Sequence, residues 1–238
     1  MKNIKEKVTS YITTPACCYI TLIILVILGF ISVIVYNDKL TLESVILNLT
    51  CGVLTTLITT VIIDFGNTLR QNHQNEELKN RLKSDLKDAC YELPYYAYEC
   101  ANEIDNYKNN EKHSFKEWNN MIFKNINDLN STDEDLNLQR KYYMEQILVI
   151  NKCSIELLSL LRYYEQYLQN EDNFRKNLKA LKFICMRVKI ELSANGMNLK
   201  SYNIITNELP DTIKKLFPEL KEIYEEPYDE EELFKGLL

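Results

Sequence analysis

Cysteine is the most chemically versatile residue type in this sequence, since thiolates bind soft metals and form disulfides. Three of the seven cysteines (Cys17, Cys18 and Cys51) lie in uncharged segments, and the others are Cys90, Cys100, Cys153 and Cys185. None of these four has the C-x-x-C spacing that places two thiolates on one metal ion. We therefore predict no metal site and no disulfide framework, and we interpret these residues as small core side chains in a reducing cytoplasm.

Histidines and paired carboxylates are the remaining candidates for acid–base chemistry. His73 and His113 both lie in polar stretches, which is typical of surface residues. Asp133 and Asp135 fit the start of a helix, and the carboxylates at 230–232 fit a solvated segment. P-loop, Rossmann, zincin and nucleophile-elbow motifs are absent, and five glycines are few for a phosphate-binding loop. The sequence thus predicts a protein that is not an enzyme, with no catalytic residue and no cofactor.

Two apolar segments set the architecture. Residues 16–36 and 44–63 contain no Asp, Glu, Lys or Arg. A helix of about 20 residues crosses the ~30 Å hydrocarbon core of a bilayer, so each segment predicts a transmembrane helix. The connector 37–43 is too short to recross the membrane, and the two helices therefore form an antiparallel hairpin. The first segment is longer than the apolar core of a signal peptide, which we exclude.

Lysine and arginine flank the hairpin on one side, which predicts its orientation. Three lysines precede the first helix and four basic residues follow the second, namely Lys2, Lys5, Lys7, Arg70, Lys79, Arg81 and Lys83, against Lys39 alone in the connector. The positive-inside rule makes residues 1–15 a cytoplasmic arm and 37–43 an extracytoplasmic loop. We expect a multi-pass protein of the cell (plasma) membrane with both termini cytoplasmic.

One side of the second membrane helix carries small and polar residues. On a helical projection these are Asn48, Gly52, Thr55, Thr56 and Thr59. Gly and Thr permit close approach of helices, and Asn can bond to a neighbouring helix, so this side is a candidate packing face. Several copies of the same side can instead ring a water-filled path. Packing is the favoured interpretation because none of these residues is charged, but both interpretations stay open.

The rest of the chain predicts an all-α protein in which the hairpin continues through a stalk into a cytoplasmic helical bundle. No Gly or Pro lies between Gly66 and Pro94, so residues 64–93 form a stalk helix that Pro94 ends or kinks. Residues 94–195 form the bundle. Ser131 and Glu134 have capping-box spacing at the start of a long helix.

Two apolar stripes with steps of three and four define the core of this bundle. The first stripe is Tyr143, Ile147, Ile150, Ser154, Leu157, Leu161, Tyr164 and Leu168. The second is Phe174, Leu178, Leu181, Cys185, Val188 and Leu192. Few residues separate the two stripes, which predicts an antiparallel helical hairpin with coiled-coil-like packing.

The region 196–238 is interpreted as an acidic C-terminal tail with short helices, because Pro210, Pro218 and Pro227 interrupt it. Its acidic residues contribute most of the net charge of −6. A net negative charge opposes nucleic-acid binding, which needs clustered Lys and Arg. We therefore predict no nucleic-acid partner.

The stretch 62–70 (IIDFGNTLR), at the membrane exit, is similar to stretches in uncharacterised bacterial proteins with two transmembrane helices and a cytoplasmic helical domain. The order of parts also loosely resembles the SLATT class of two-helix membrane effectors. That resemblance implies pore formation by an oligomer, and it assigns a role to no residue of this chain.

The sequence supports two functional hypotheses. The first is a membrane-anchored helical module for self-association, or for docking a cytoplasmic protein partner at the cytoplasmic face. The second is an oligomeric membrane-permeabilising effector or small channel that the cytoplasmic domain gates. Expected partners are therefore the membrane, a further copy of the chain and a cytoplasmic protein.

Overall fold

The computed structural model describes residues 23–24, 26–28, 31, 40–105, 112–127, 133–164, 172–195 and 198–228. These residues are helical almost throughout, and no β-strand occurs among them apart from an isolated bridge between His113 and Tyr228. The all-α prediction is therefore confirmed. The chain divides into two compact units, Met1–His73 (unit 1) and Gln74–Leu238 (unit 2).

The first long helix, α1 (Leu40–Asp105), contains the second predicted membrane segment. It begins within the predicted loop 37–43, because residues 40–43 (LTLE) contain no helix-breaking residue. The first predicted segment, 16–36, is helical where it is described, and its remaining residues, the arm 1–15 and residues 37–39 lie outside the described part of the chain.

Pro94 lies inside α1 and does not end it. Proline removes one N–H and crowds the carbonyl four residues earlier, which here belongs to Cys90. The Tyr224 hydroxyl donates to that carbonyl at 2.5 Å, and Gln146 Nε2 donates to the neighbouring carbonyl of Ala89 at 2.5 Å. The hydroxyl of Tyr224 thus satisfies the carbonyl that Pro94 leaves without a donor, and α1 continues to Asp105. The predicted start of a separate bundle at residue 94 consequently falls inside a helix.

Unit 2 continues with six further helices among its described residues. They are α2 (Phe115–Asn127), α3 (Asp133–Tyr163), α4 (Asp172–Asn195), α5 (Leu199–Asn203), α6 (Leu209–Leu216) and α7 (Lys221–Glu225). A π-helical turn (Ile204–Glu208) joins α5 to α6, and a 3₁₀ turn (Pro218–Leu220) precedes α7. Helix α3 begins at Asp133, close to the predicted start, whereas Ser131 lies outside the described residues.

Helices α3 and α4 form the most extensive helix–helix contact in the described chain. The predicted stripes supply their buried residues, which are Tyr143, Ile147, Ile150, Ser154, Leu157 and Leu161 on α3 and Leu178, Leu181, Cys185, Val188 and Leu192 on α4. Tyr164 and Phe174 pack at the edge of this core, and Leu168 lies outside the described residues. The spacing of apolar residues therefore predicted the core side of both helices correctly.

Residues 198–228 fold onto the same core, although the sequence placed them in an acidic tail. Leu209, Ile213 and Phe217 are buried, as are Leu220 and Tyr224 in the final turns. Two of the acidic residues are held in salt bridges, Glu219 with Lys87 at 3.2 Å and Glu225 with Lys214 at 2.9 Å. The short helices are present as predicted, but they close the core of unit 2. The residues beyond 228 lie outside the described part of the chain.

A buried polar network joins α2 to α3. Ser114 caps α2, since its hydroxyl oxygen accepts from the Glu117 backbone N–H at 3.4 Å, while its own backbone N–H and hydroxyl donate to the Glu117 carboxylate at 2.7 and 2.9 Å. Asn119 Nδ2 donates to the Phe115 carbonyl at 2.6 Å, and the Tyr143 hydroxyl donates to Asn119 Oδ1 at 2.5 Å. Asn119 and Tyr143 are thereby paired in the core, which fixes the side of α2 that faces α3.

Candidate functional site

The small and polar side of α1 is exposed in unit 1. We call Asn48, Gly52, Thr55, Thr56 and Thr59 the polar face. All five are exposed, so the structure keeps them together on one surface.

The opposite side of α1 is the covered one. Thr50 is 3% exposed, and Val53, Leu54, Leu57 and Thr60 are half-buried. At 100° per residue these positions centre about half a turn from the polar face. The more apolar side of this helix is therefore covered and its polar side faces outward, which the sequence alone did not determine.

The threonines of α1 bond to their own helix. The hydroxyls of Thr55 and Thr56 donate to the carbonyls of Cys51 and Gly52, at 2.8 and 2.9 Å, and Thr60 donates to Thr56 in the same way. Such bonds leave the hydroxyl oxygen as an acceptor. Among the described residues, the Asn48 amide makes no hydrogen bond, so it is the member of the face with the largest unused bonding capacity.

Gly52 provides open space at the centre of the polar face. A Cβ built at this residue meets no atom within 4 Å. The glycine therefore does not serve a close helix contact among the described residues, although close packing was the reason for expecting a glycine here. The space is available to another helix.

Large apolar residues surround the polar face on the exposed surface of α1. Leu49 is 70% exposed, and Ile58, Val61, Ile62 and Ile63 are also exposed. Within the described residues, α1 is the one helix whose length and apolar composition suffice to cross a membrane. An exposed apolar surface of this extent is typical of a segment that contacts lipid or protein.

Several cysteines of unit 2 are neighbours, since burial and then the nearby Cys185 and Cys153 raise the pKa of the Cys90 thiol. Cys90, Cys100 and Cys185 are buried, and burial raises the pKa of the Cys185 thiol to about 12. No group of three His, Cys, Asp or Glu among the described residues is arranged to hold a metal ion. His73 is exposed, whereas His113 is half-buried with its ring edge-on to Trp118 at 4.7 Å. His113 therefore differs from the predicted surface residue.

A groove of about 540 Å³ lies on the surface between α3 and α4 in unit 2. Its floor is apolar and comes from Ile155 and Leu158 of α3 and from Phe183 and Met186 of α4. Phe183 is 62% exposed, and Ile155 and Met186 are also exposed. The C-terminal half of α3 thus faces the N-terminal half of α4, as the predicted antiparallel hairpin requires.

Four cations line the same groove, Arg162 from α3 and Arg175, Lys179 and Lys182 from α4, and none of the described lining residues is acidic. Arg162, Lys179 and Lys182 take part in no salt bridge within the described chain. Arg175, Lys179 and Lys182 recur at steps of four and three on α4, a signal that sequence reasoning missed. Arg162 joins them only through the antiparallel pairing of α3 and α4. A concentration of positive charge is unexpected in a chain whose net charge is −6.

Comparison with known proteins gives no relative, since no protein-family model, curated protein or solved structure shows significant similarity to the chain.

Proposed function

We propose that the chain is a membrane-anchored helical module that self-associates within the bilayer through the polar face of α1. Residues 16–36 and 44–63 form the membrane hairpin, and unit 2 is displayed at the cytoplasmic side. The observation that carries this proposal is the outward orientation of the polar face. The proposal gives no residue a catalytic role.

The apolar surface of α1 supports the membrane anchor. In water, the exposed side chains of Leu49, Ile58 and Ile62 would form an unfavourable surface, whereas lipid acyl chains accommodate them. The segment 44–63 has no Asp, Glu, Lys or Arg to oppose insertion. The positive residues that follow it support a cytoplasmic location for unit 2.

The polar face supports self-association rather than simple anchoring. An amide such as that of Asn48 has no water to bond in the hydrocarbon region, and leaving it unpaired is unfavourable by several kcal/mol. A second copy related by two-fold symmetry brings Asn48 opposite Asn48, and the open space at Gly52 lets the backbones approach. Hydrogen bonds between membrane helices contribute about 0.6–2 kcal/mol each, which suits a reversible dimer or small oligomer.

The oligomeric state of the full chain tests this proposal. Fluorescently labelled copies are reconstituted in lipid vesicles, and energy transfer between them is followed as the protein is diluted with lipid. We expect Asn48→Leu and Gly52→Leu each to lower energy transfer at fixed protein density. Ile58→Ala is the matched control, because Ile58 is exposed on the same helix outside the polar face, and it should leave energy transfer unchanged.

Two results would overturn the proposal. One is a wild-type chain that stays monomeric at every density. The other is a chain that remains in the supernatant when cells lysed without detergent are centrifuged at high speed. A reporter fused after Leu238 that proves extracytoplasmic would reverse the orientation.

The second candidate function is a membrane-permeabilising effector or small channel built from the same face. The exposed threonine oxygens of the polar face favour it, since they retain acceptor capacity for water. This function predicts ion flux across vesicles that contain the wild-type chain. It also predicts that Thr55→Leu combined with Thr59→Leu abolishes the flux while leaving expression intact. Vesicles that never conduct ions leave the anchoring module as the function.

A further inference from the structure

We infer that the basic groove between α3 and α4 binds the acidic segment 229–238 of a second copy of this chain. The two surfaces have complementary chemistry. The groove combines four cations with an exposed apolar floor, and the segment reads DEEELFKGLL. Four carboxylates at 229–232 match the cations, and Leu233, Phe234, Leu237 and Leu238 match the floor of Ile155, Leu158, Phe183 and Met186.

The apolar floor distinguishes this partner from a simple anion. A free phosphate needs only the cations, and it leaves Phe183 and Met186 in water. A peptide with acidic residues next to leucine and phenylalanine covers both parts of the groove. Charged groups at the edge of such an interface set its orientation and its rate of association, while burial of the aromatic and aliphatic side chains supplies most of the affinity.

The covalent length of the chain favours a second copy over the same chain. Tyr228 pairs with His113 through two main-chain hydrogen bonds of 3.2 Å, and it is one of the groups that raise the pKa of Tyr143 in α3. Arg162 lies about 28 Å farther along α3, at ~1.5 Å per residue. The backbone of residues 229–232 extends at most about 14 Å beyond Tyr228, at ~3.5 Å per residue. The carboxylates of a chain therefore fall short of Arg162 in its own groove, whereas those of a second copy can reach all four cations.

Two copies can exchange their segments reciprocally, which gives a closed dimer with two-fold symmetry. A head-to-tail arrangement, in which each segment enters the groove of the next copy, instead closes as a larger ring. The inference uses the proposed self-association in the membrane only to bring copies together. The groove and its ligand are independent of the polar face of α1.

Photo-cross-linking in the full-length chain tests the inference. A photoreactive phenylalanine analogue replaces Phe234, and isotopically light and heavy copies are mixed in detergent before irradiation. We expect cross-links between light and heavy chains that map to peptides of α3 or α4 lining the groove. Cross-links confined to one chain, or mapped elsewhere, would overturn the inference.

Charge reversal identifies the contact. Lys179→Glu combined with Lys182→Glu should lower the yield of intermolecular cross-link about tenfold, since two favourable pairs become repulsive. Reversing the segment as well, with Glu230→Lys and Glu231→Lys, should restore most of the yield. Lys152→Glu combined with Lys189→Glu is the matched control, because both lysines are exposed on the same two helices outside the groove. A reversal that changes nothing, or a control that has the same effect, would overturn the inference.

Three further measurements distinguish loss of this contact from misfolding, from loss of the membrane oligomer and from lipid binding. Trp118 fluorescence should show the same resistance to urea in the groove variant and in the wild type, which excludes misfolding. The cross-link should also persist in Asn48→Leu, so that failure of the polar-face proposal does not imply failure of this one. If the groove variant loses binding to vesicles of anionic phospholipid while its cross-link is unchanged, the ligand is a lipid headgroup and the inference is overturned.

Discussion

The Tyr224 hydroxyl donates a hydrogen bond of 2.5 Å to the main-chain carbonyl of Cys90, 134 residues earlier in the sequence. In an uninterrupted helix this carbonyl accepts from the amide of residue 94, but residue 94 is Pro94 and has no N–H. The bond is buried, and burial raises the pKa of Tyr224 far above its ordinary value. The hydroxyl therefore stays protonated and acts as a donor at any physiological pH.

Tyr224→Phe should destabilise unit 2 by about 1–3 kcal/mol, because it leaves a buried carbonyl without a partner. The measurement is urea unfolding of the detergent-solubilised chain, followed by fluorescence of Trp118, the one tryptophan in the sequence. Tyr163→Phe serves as the control, since Tyr163 is 80% exposed. Equal stability of Tyr224→Phe and wild type would show that the bond contributes nothing.

Pro94→Ala should reduce the destabilisation of unit 2 that Tyr224→Phe causes. Alanine restores an N–H at residue 94 that can bond to the Cys90 carbonyl within α1, so the tyrosine hydroxyl becomes dispensable. We expect the destabilisation by Tyr224→Phe to be about 1 kcal/mol smaller in the Pro94→Ala background, measured by the same urea titration. Additive effects of the two substitutions would contradict the assignment of Tyr224 as the replacement donor.

Ser114→Ala should destabilise unit 2 by about 1 kcal/mol at neutral pH, since Ser114 caps α2. Hydrogen bonds from the Ser114 backbone and side chain lower the pKa of Glu117 from its ordinary 4.5. The contribution of the ionised carboxylate is therefore present above pH 4.5 and is lost as the pH falls through the lowered folded-state pKa. The difference in the free energy of unfolding between Ser114→Ala and wild type should therefore become smaller as the pH is lowered from about 7 to about 3. Ser84→Ala, at an exposed position inside α1, should show no such pH dependence.

The cysteines of unit 2 should differ in their rates of alkylation. Cys90, Cys100 and Cys185 are buried, and burial raises the pKa of Cys90 and Cys185, so little reactive thiolate forms at neutral pH. Cys153 is half-buried and should react first among these four. Mass spectrometry after treatment with a maleimide measures each site. In urea above the unfolding midpoint, all four should react at similar rates, and rapid labelling of Cys90 in the native chain would contradict its burial.

Sequence periodicity predicted the packed sides of α3 and α4 because each helix is long and its apolar residues recur at regular steps. Leu157 and Leu181 illustrate this, since both were assigned to the core and both are fully buried. The same reasoning failed for residues 198–228. Proline and acidic residues there indicate short, solvated pieces, whereas pairs such as Ile213 and Leu216 are too few to show a period and gain their burial from the rest of the core.

Features that depend on distant residues escaped prediction for a physical reason. Pro94 was expected to end or kink α1, but the helix continues, and the hydroxyl of a tyrosine far along the chain donates to the carbonyl that proline leaves without a donor. The basic groove likewise arises when Arg162 and Lys179 are brought together by two antiparallel helices. Local spacing places the three cations of α4 on one side of that helix, but it carries no information on the approach of Arg162 or on the bond from Tyr224. The polar face, by contrast, lies on one helix, and its five residues were recognised from their spacing alone.

The bond between Tyr224 and Cys90 also imposes an order on biosynthesis. The N-terminal half of α1 leaves the ribosome long before Tyr224 has been translated. During that interval the Cys90 carbonyl has no donor, and the helix beyond Pro94 is free to fray or bend. Completion of unit 2 therefore waits for its C-terminal turns, and a ribosome that stalls before codon 224 leaves a chain whose helical core is still open.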